Sequence, residues 1–149
     1  MFFDDGKCFA CGPHNPIGLK LVFQLDGEGR AVTTFVAPEE FQGFSKVLHG
    51  GIICTLLDEA MAWAMILHGY LGATASMRVK FRKPVPIGER VTITGEILKQ
   101  GIKSWTLSSR ILNEQGQVLA EAEGIFAAIS KIPHEELNSK MVENPPYSS

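Results

Sequence analysis

The stretch HGGIICTLLDEAMAWAMIL, residues 49–67, decides how this chain folds. A histidine and two glycines stand at the mouth of a helical pattern that is apolar almost all the way round: Ile52, Ile53, Leu56, Leu57, then Ala60, Met61, Ala62, Trp63, Ala64, Met65, Ile66 and Leu67. A helix of that kind must be buried on most sides. It is too short and too charged in its middle to span a membrane, so its wrapping is expected to be protein, a sheet curled round it. Into this apolar cylinder the sequence sets two carboxylates, Asp58 and Glu59. Burying an ionised carboxylate costs several kcal/mol unless it is paired, hydrogen-bonded or open to a polar cleft, so at least one of them needs a purpose there.

Working outward, residues 19–25 and 31–36 read as strands joined by an Asp26-Gly27-Glu28-Gly29 hairpin turn. Pro38-Glu39-Glu40 opens a short turn or single helical turn, and 41–48 is a loop that delivers His49 to the helix. After the helix, His68-Gly69-Tyr70-Leu71-Gly72 supplies a glycine stop. Residues 74–85 then alternate, with Met77, Val79 and Phe81 on one face and Arg78, Lys80 and Arg82 on the other. Residues 90–99, 103–112 and 118–129 give three more strand-like runs, and the four runs can follow one another through hairpin-like connections. The fold class is therefore α+β: a curled antiparallel sheet around one long central helix.

A chain of 149 residues is one domain. Within it, 1–18 forms an irregular lead-in rich in Gly, Pro, Asn and Asp, and 130–149 a peripheral helical turn with a frayed end. Hydrophobic residues make up 45% and charged residues 20%, which is the balance of a soluble globular protein. With 14 basic against 16 acidic residues there is no global field to draw in nucleic acid. The start MFFDDGK has no apolar segment of the secretory type, and three cysteines make an odd number for a disulfide framework, so a reducing cytoplasmic setting is expected. Cys8, Cys11 and His14 invite a zinc reading, but a structural zinc wants four protein ligands and no second pair follows at a workable spacing. Packed thiols in a tight turn are the expectation, with no metal and no cofactor.

The chemistry follows from the helix itself. Its N-terminus presents backbone N–H groups and the positive end of the macrodipole, and Gly50 and Gly51 carry no Cβ to keep a carbonyl oxygen away. Such donors stabilise a carbonyl oxygen as it becomes an oxyanion. Asp58 and Glu59 lie two turns further on, about 12 Å along an axis rising ~1.5 Å per residue, so one chain's carboxylate does not reach a substrate held at its own Gly50. Two such helices facing each other across a dimer interface would bring the halves together. The two acids point about 100° apart, and spacing alone divides the role almost evenly between them.

Three segments, CFACGPHNPIGLKLVF, HGGIICTLLDEAM and TASMRVKFRKPVPIGERV, together resemble a hot-dog-fold thioesterase of the phenylacetate-degradation (PaaI-like) branch of the acyl-CoA thioesterase superfamily, over roughly residues 8–129. HGG with an acid nine residues after the histidine, followed by a strand and then PxGE, is fairly specific. The resemblance implies a homodimer, with a dimer of dimers as a further level, and a site shared across its interface. It implies that the Gly50 N–H polarises a thioester carbonyl, that His49 helps hold that loop, that Asp58 from the other subunit acts as nucleophile or general base, and that the Thr74 hydroxyl positions water. It favours Asp58 over Glu59, which reads as an exposed or interface-paired acid. Where some relatives carry an asparagine before HGG this chain has Gly43, and Gln42 beside it is the candidate to replace that contact.

Substrate-binding expectations are Gln42, Gly51, and Arg78 and Arg82 from a basic run that could hold coenzyme A phosphates; a solvated outer sheet face is the plainer reading of that run. Ile53, Leu57 and Met61 are expected to line an acyl pocket between helices. Cys54 has no base beside it in sequence and reads as a packed thiol. The function that results is hydrolysis of an acyl-CoA, without nucleic acid, membrane or metal. The competing readings are a silent acyl-CoA-binding module and a hot-dog dehydratase or hydratase.

Overall fold

The structure, a computed structural model, describes residues 5–143. The first four residues and the expected frayed end at 144–149 lie outside it. Six strands and two helices follow in the order β1 (Gln24–Leu25), β2 (Ala31–Val36), α1 (Gly50–Ile66), β3 (Tyr70–Phe81), β4 (Arg90–Gln100), β5 (Ser104–Leu112), β6 (Val118–Lys131) and α2 (His134–Glu143). A single helical turn, Glu39–Phe41, sits where Pro38 and the two glutamates predict it.

All six strands join one antiparallel sheet in the spatial order β1-β2-β4-β5-β6-β3. The alternation seen in sequence sets which face each presents. Ala31, Thr33 and Phe35 of β2, Val91 and Ile93 of β4, and Trp105, Leu107 and Ile111 of β5 point inward and are buried. α1 lies across this inner face and touches β2, β3, β4, β5 and β6, so the sheet wraps the helix as expected. Leu56, Leu57, Ala60, Met61, Ala64 and Met65 are 0% exposed. The fit is close enough to dictate one residue type in the sheet: a Cβ on Gly95 would stand 2.0 Å from the Ala60 carbonyl oxygen. Only glycine lets the helix lie that near to β4.

Two expectations are corrected. Residues 19–23 do not extend β1: the Leu19 and Leu21 N–H groups donate to the carbonyls of Phe9 (2.8 Å) and Ala10 (2.9 Å), and Lys20 has a left-handed φ of 54° that no continuous strand tolerates. That apolar run serves the lead-in instead of the sheet. The four later runs do not form a simple meander either. β3 pairs with β6, and β2 with β4, which puts β3 at the sheet edge opposite β1 and makes β3-to-β4 a crossover. The C-terminal helical turn is longer than expected, a ten-residue helix.

Candidate active site

The mouth of α1 is held from outside the helix. The Leu48 N–H donates to Val85 O at 2.8 Å and the His49 N–H to Phe41 O at 2.9 Å, which fixes the chain just before it turns. His49 is the N-cap, in extended conformation, and its Nδ1 accepts the Gly51 N–H at 2.9 Å. Accepting at Nδ1 places the imidazole proton on Nε2. The His49 carbonyl takes the Ile52 and Ile53 N–H groups at 3.0 and 3.1 Å. The Gly51 N–H is committed to the cap, which leaves the Gly50 N–H as the first-turn donor that His49 does not take.

Two turns on, Asp58 is half-buried and its Oδ1 accepts the Thr74 hydroxyl at 2.5 Å. Thr74 stands exposed on β3, beside a register shift in the β3–β6 ladder between Thr74 and Ser76. The crossover that sends β3 to the sheet edge thus brings together two residues 16 apart in sequence. Cys54, one turn before Asp58, has its thiol pushed up by burial and then by the Asp58 charge, which disfavours the thiolate that a nucleophile needs.

The other expected residues make contacts of their own. Gln42 turns its Oε1 to the Lys46 N–H at 3.3 Å within its own loop. Arg82 pairs with Glu121 at 2.7 Å, which raises the guanidinium's pKa and lowers the carboxyl's. Arg78 lines a groove of about 310 Å³ on the outer sheet face with Lys80, Arg110, Glu96, Glu121 and Glu123, three cations against three carboxylates. Leu57 and Met61 are fully buried and Ile53 is 5% exposed, so within one chain these side chains belong to the core. The sheet, curled over that helix face, has already taken them.

One cluster went unread in the sequence. Glu59 is half-buried: its Oε1 accepts the Trp63 indole N–H at 3.1 Å and lies 3.9 Å from Cys8 Sγ. The lead-in folds over that side of α1 and covers it. Cys11 is buried beside them, its thiol driven far up by burial first and then by Glu59. His14, the third residue of the zinc reading, is elsewhere, with its ring against Gly6. The i, i+4 spacing of Glu59 and Trp63 was the available signal for their hydrogen bond.

A helix whose mouth offers an open backbone donor, wrapped by a six-stranded antiparallel sheet and carrying a carboxylate–hydroxyl pair on its flank, is the framework of a hot-dog thioesterase. Residues 45–120 match the Thioesterase superfamily, and the chain belongs to that family. A putative esterase of Archaeoglobus fulgidus is 30% identical over 104 residues, covering 70% of this chain and 68% of that protein. Acyl-coenzyme A thioesterase PaaI of Escherichia coli is 27% identical, covering 65% of this chain and 69% of that protein. Acyl-coenzyme A thioesterase THEM4 of Bos taurus is 28% identical over 80% of this chain, which spans 50% of that protein's length. Among solved structures, the thioesterase superfamily protein RHA08564 superposes with a TM-score of 0.76 at 28% identity, over 80% of this chain and 62% of that one. The smu.793 protein of Streptococcus mutans, solved bound to acetyl CoA, shares the fold with a TM-score of 0.70 at 20% identity, over 75% and 90% of the two chains. Among the described residues no helix is long and apolar enough to cross a membrane.

Proposed function

We propose that the protein hydrolyses acyl-CoA thioesters at a site shared between two copies of the chain. The observation that carries this reading is the Asp58–Thr74 hydrogen bond of 2.5 Å on the flank of α1. A hydroxyl that donates to a carboxylate keeps its own lone pairs, so Thr74 Oγ1 and Asp58 Oδ2 offer two acceptor positions to a single water. Asp58 takes a proton from that water as its oxygen attacks the thioester carbon. The carbonyl oxygen becomes an oxyanion and receives the Gly50 N–H, aided by the helix dipole. Collapse of the tetrahedral intermediate breaks the C–S bond; the departing thiolate recovers the proton, leaving free acid and CoA.

Gly50 and Asp58 of one helix stand ~12 Å apart, so the donor and the base that act on one carbonyl come from different copies. β3 pairs with β6 on one side and ends the sheet on the other, which leaves a strand edge for a second copy to cover. Names of relatives, acyl-coenzyme A thioesterases THEM4 and PaaI, support the substrate class, as does the acetyl CoA held by the Streptococcus mutans neighbour.

The test is thiol release from short, long and aryl acyl-CoAs by the wild type and by Asp58→Asn. The expected result is turnover of at least one substrate and a kcat loss of about a hundredfold or more, ~2.7 kcal/mol of transition-state stabilisation, with the fold intact. Binding of acyl-CoA without cleavage anywhere in the panel would overturn the reading in favour of a binding module.

A further inference from the structure

Away from the Asp58–Thr74 pair, the lead-in and the other flank of α1 build a second constellation. We propose that Cys8, Cys11 and Glu59 bind one borderline-soft divalent cation of the Zn²⁺ type, which ties the lead-in to α1. One ligand atom from each of the three lies within 4.8 Å of the others, the only such group of three or more His, Cys, Asp or Glu found among the described residues. Tetrahedral zinc with bonds of about 2.3 Å to sulfur and ~2.1 Å to oxygen sets sulfur–oxygen separations near 3.6 Å. Cys8 Sγ and Glu59 Oε1 already stand 3.9 Å apart. The donor set of two thiols and a carboxylate suits zinc and excludes calcium and magnesium, which take oxygen.

Three further features hold the ligands in place. Cys8 and Cys11 flank a tight turn closed by the Gly12 N–H on Cys8 O at 2.8 Å. A Cβ on Gly12 would lie 2.4 Å from Cys8 N and 2.6 Å from Cys8 O, so the turn that brings the two thiols to one side requires glycine after the second cysteine. Glu59 is oriented by the Trp63 indole N–H, which is the kind of outer partner that metal-bound carboxylates have. Trp63 is 5% exposed and stacks on Phe23 at 6.3 Å, so that donor is itself fixed. The cluster borders a cavity of about 650 Å³, also lined by Asp5 and Lys7, with room for a water as fourth ligand. On binding, the cation replaces the two thiol protons, which pass to solvent.

The experiment titrates the metal-free, reduced 149-residue chain with Co²⁺ and then displaces it with Zn²⁺. The expected result is a sulfur-to-cobalt charge-transfer band saturating at one ion per chain and lost on adding Zn²⁺. Cys8→Ser removes that band, and Glu59→Gln, which keeps an acceptor for Trp63, weakens Zn²⁺ binding by at least about tenfold. Far-UV circular dichroism verifies the fold of each variant, and Cys8, half-buried, carries the cysteine test should Cys11→Ser fail to fold. The proposal is overturned by the absence of a thiolate band at equimolar Co²⁺, by Glu59→Gln binding like wild type, or by His14→Ala weakening binding as much as Glu59→Gln.

Discussion

Gly95→Ala tests the packing of helix on sheet with the least chemical change available. The new methyl would start 2.0 Å from Ala60 O and 2.5 Å from Ala60 C, both backbone atoms with no rotamer to escape into. Reaching even 3.0 Å, below which Cβ contacts essentially never occur, parts helix and strand by about 1 Å. A gap of ~0.5–1 Å forfeits a quarter to a half of each dispersion contact across it, and overpacking strain in a filled core costs a further 1–3 kcal/mol or so. Against this, alanine lowers unfolded-chain entropy and returns about 0.4–1 kcal/mol. The balance is a loss of ~2–4 kcal/mol, which for a chain of this size lowers Tm by roughly 5–15 °C. The assay is thermal and urea unfolding at matched protein concentration, with Glu96→Ala on the outward face of the same strand as a control that stays within about 0.5 kcal/mol of wild type. A Gly95→Ala protein that melts within ~2 °C of wild type, or above it, would refute the close approach of α1 to β4.

Thr74→Ser keeps the hydroxyl on Asp58 and is expected to retain activity, whereas Thr74→Val removes it. A hydrogen bond to a charged group is worth about 1.5–3 kcal/mol, so Thr74→Val should lower kcat ~10- to 100-fold with little change in KM; equal kinetics for the two variants would remove Thr74 from the site. Glu121 has its pKa lowered chiefly by the Arg82 hydrogen bond. A lowered carboxylate pKa contributes stability above the unfolded-state value and loses it as pH falls through the folded-state value. The stability difference between wild type and Glu121→Gln is therefore expected to be level around neutrality and to shrink as pH falls below the ordinary carboxylate range, measured by urea unfolding across that range; a difference that grows on the acid side would reverse the sign of the argument.

What the residues disclosed, and what they withheld, follows from the range of the forces involved. α1, β2, β4, β5 and β6 are legible because each shows its apolar period within a dozen residues, and the sheet then supplies the burial those periods ask for. The 19–25 run misled because its apolar pattern is genuine while its backbone partners, Phe9 and Ala10, sit in an aperiodic lead-in. The place of β3 was illegible for a related reason: nothing in 70–81 says that its partner is β6 and not β4. Asp58 and Thr74 were named through family resemblance, and their contact depends on that same pairing. The partners of Glu59 within the chain, Trp63 and Cys8, were not legible because Cys8 arrives from an aperiodic lead-in 51 residues away.

The pairing of β3 with β6 also bears on the order in which the chain assembles. Its register spans from 39 residues, Phe81 with Ala120, to 61, Tyr70 with Lys131. The β4–β5 and β5–β6 pairings close through short connections, and α1 forms from neighbours in sequence. Loop-closure entropy delays the distant pairing relative to these local events. The two members of the proposed site thus arrive on different clocks: Asp58 is carried by an element that can form early, and Thr74 by the strand whose zippering must wait. In a refolding experiment on the proposed thioesterase, recovery of thiol release is expected to trail the return of helical signal.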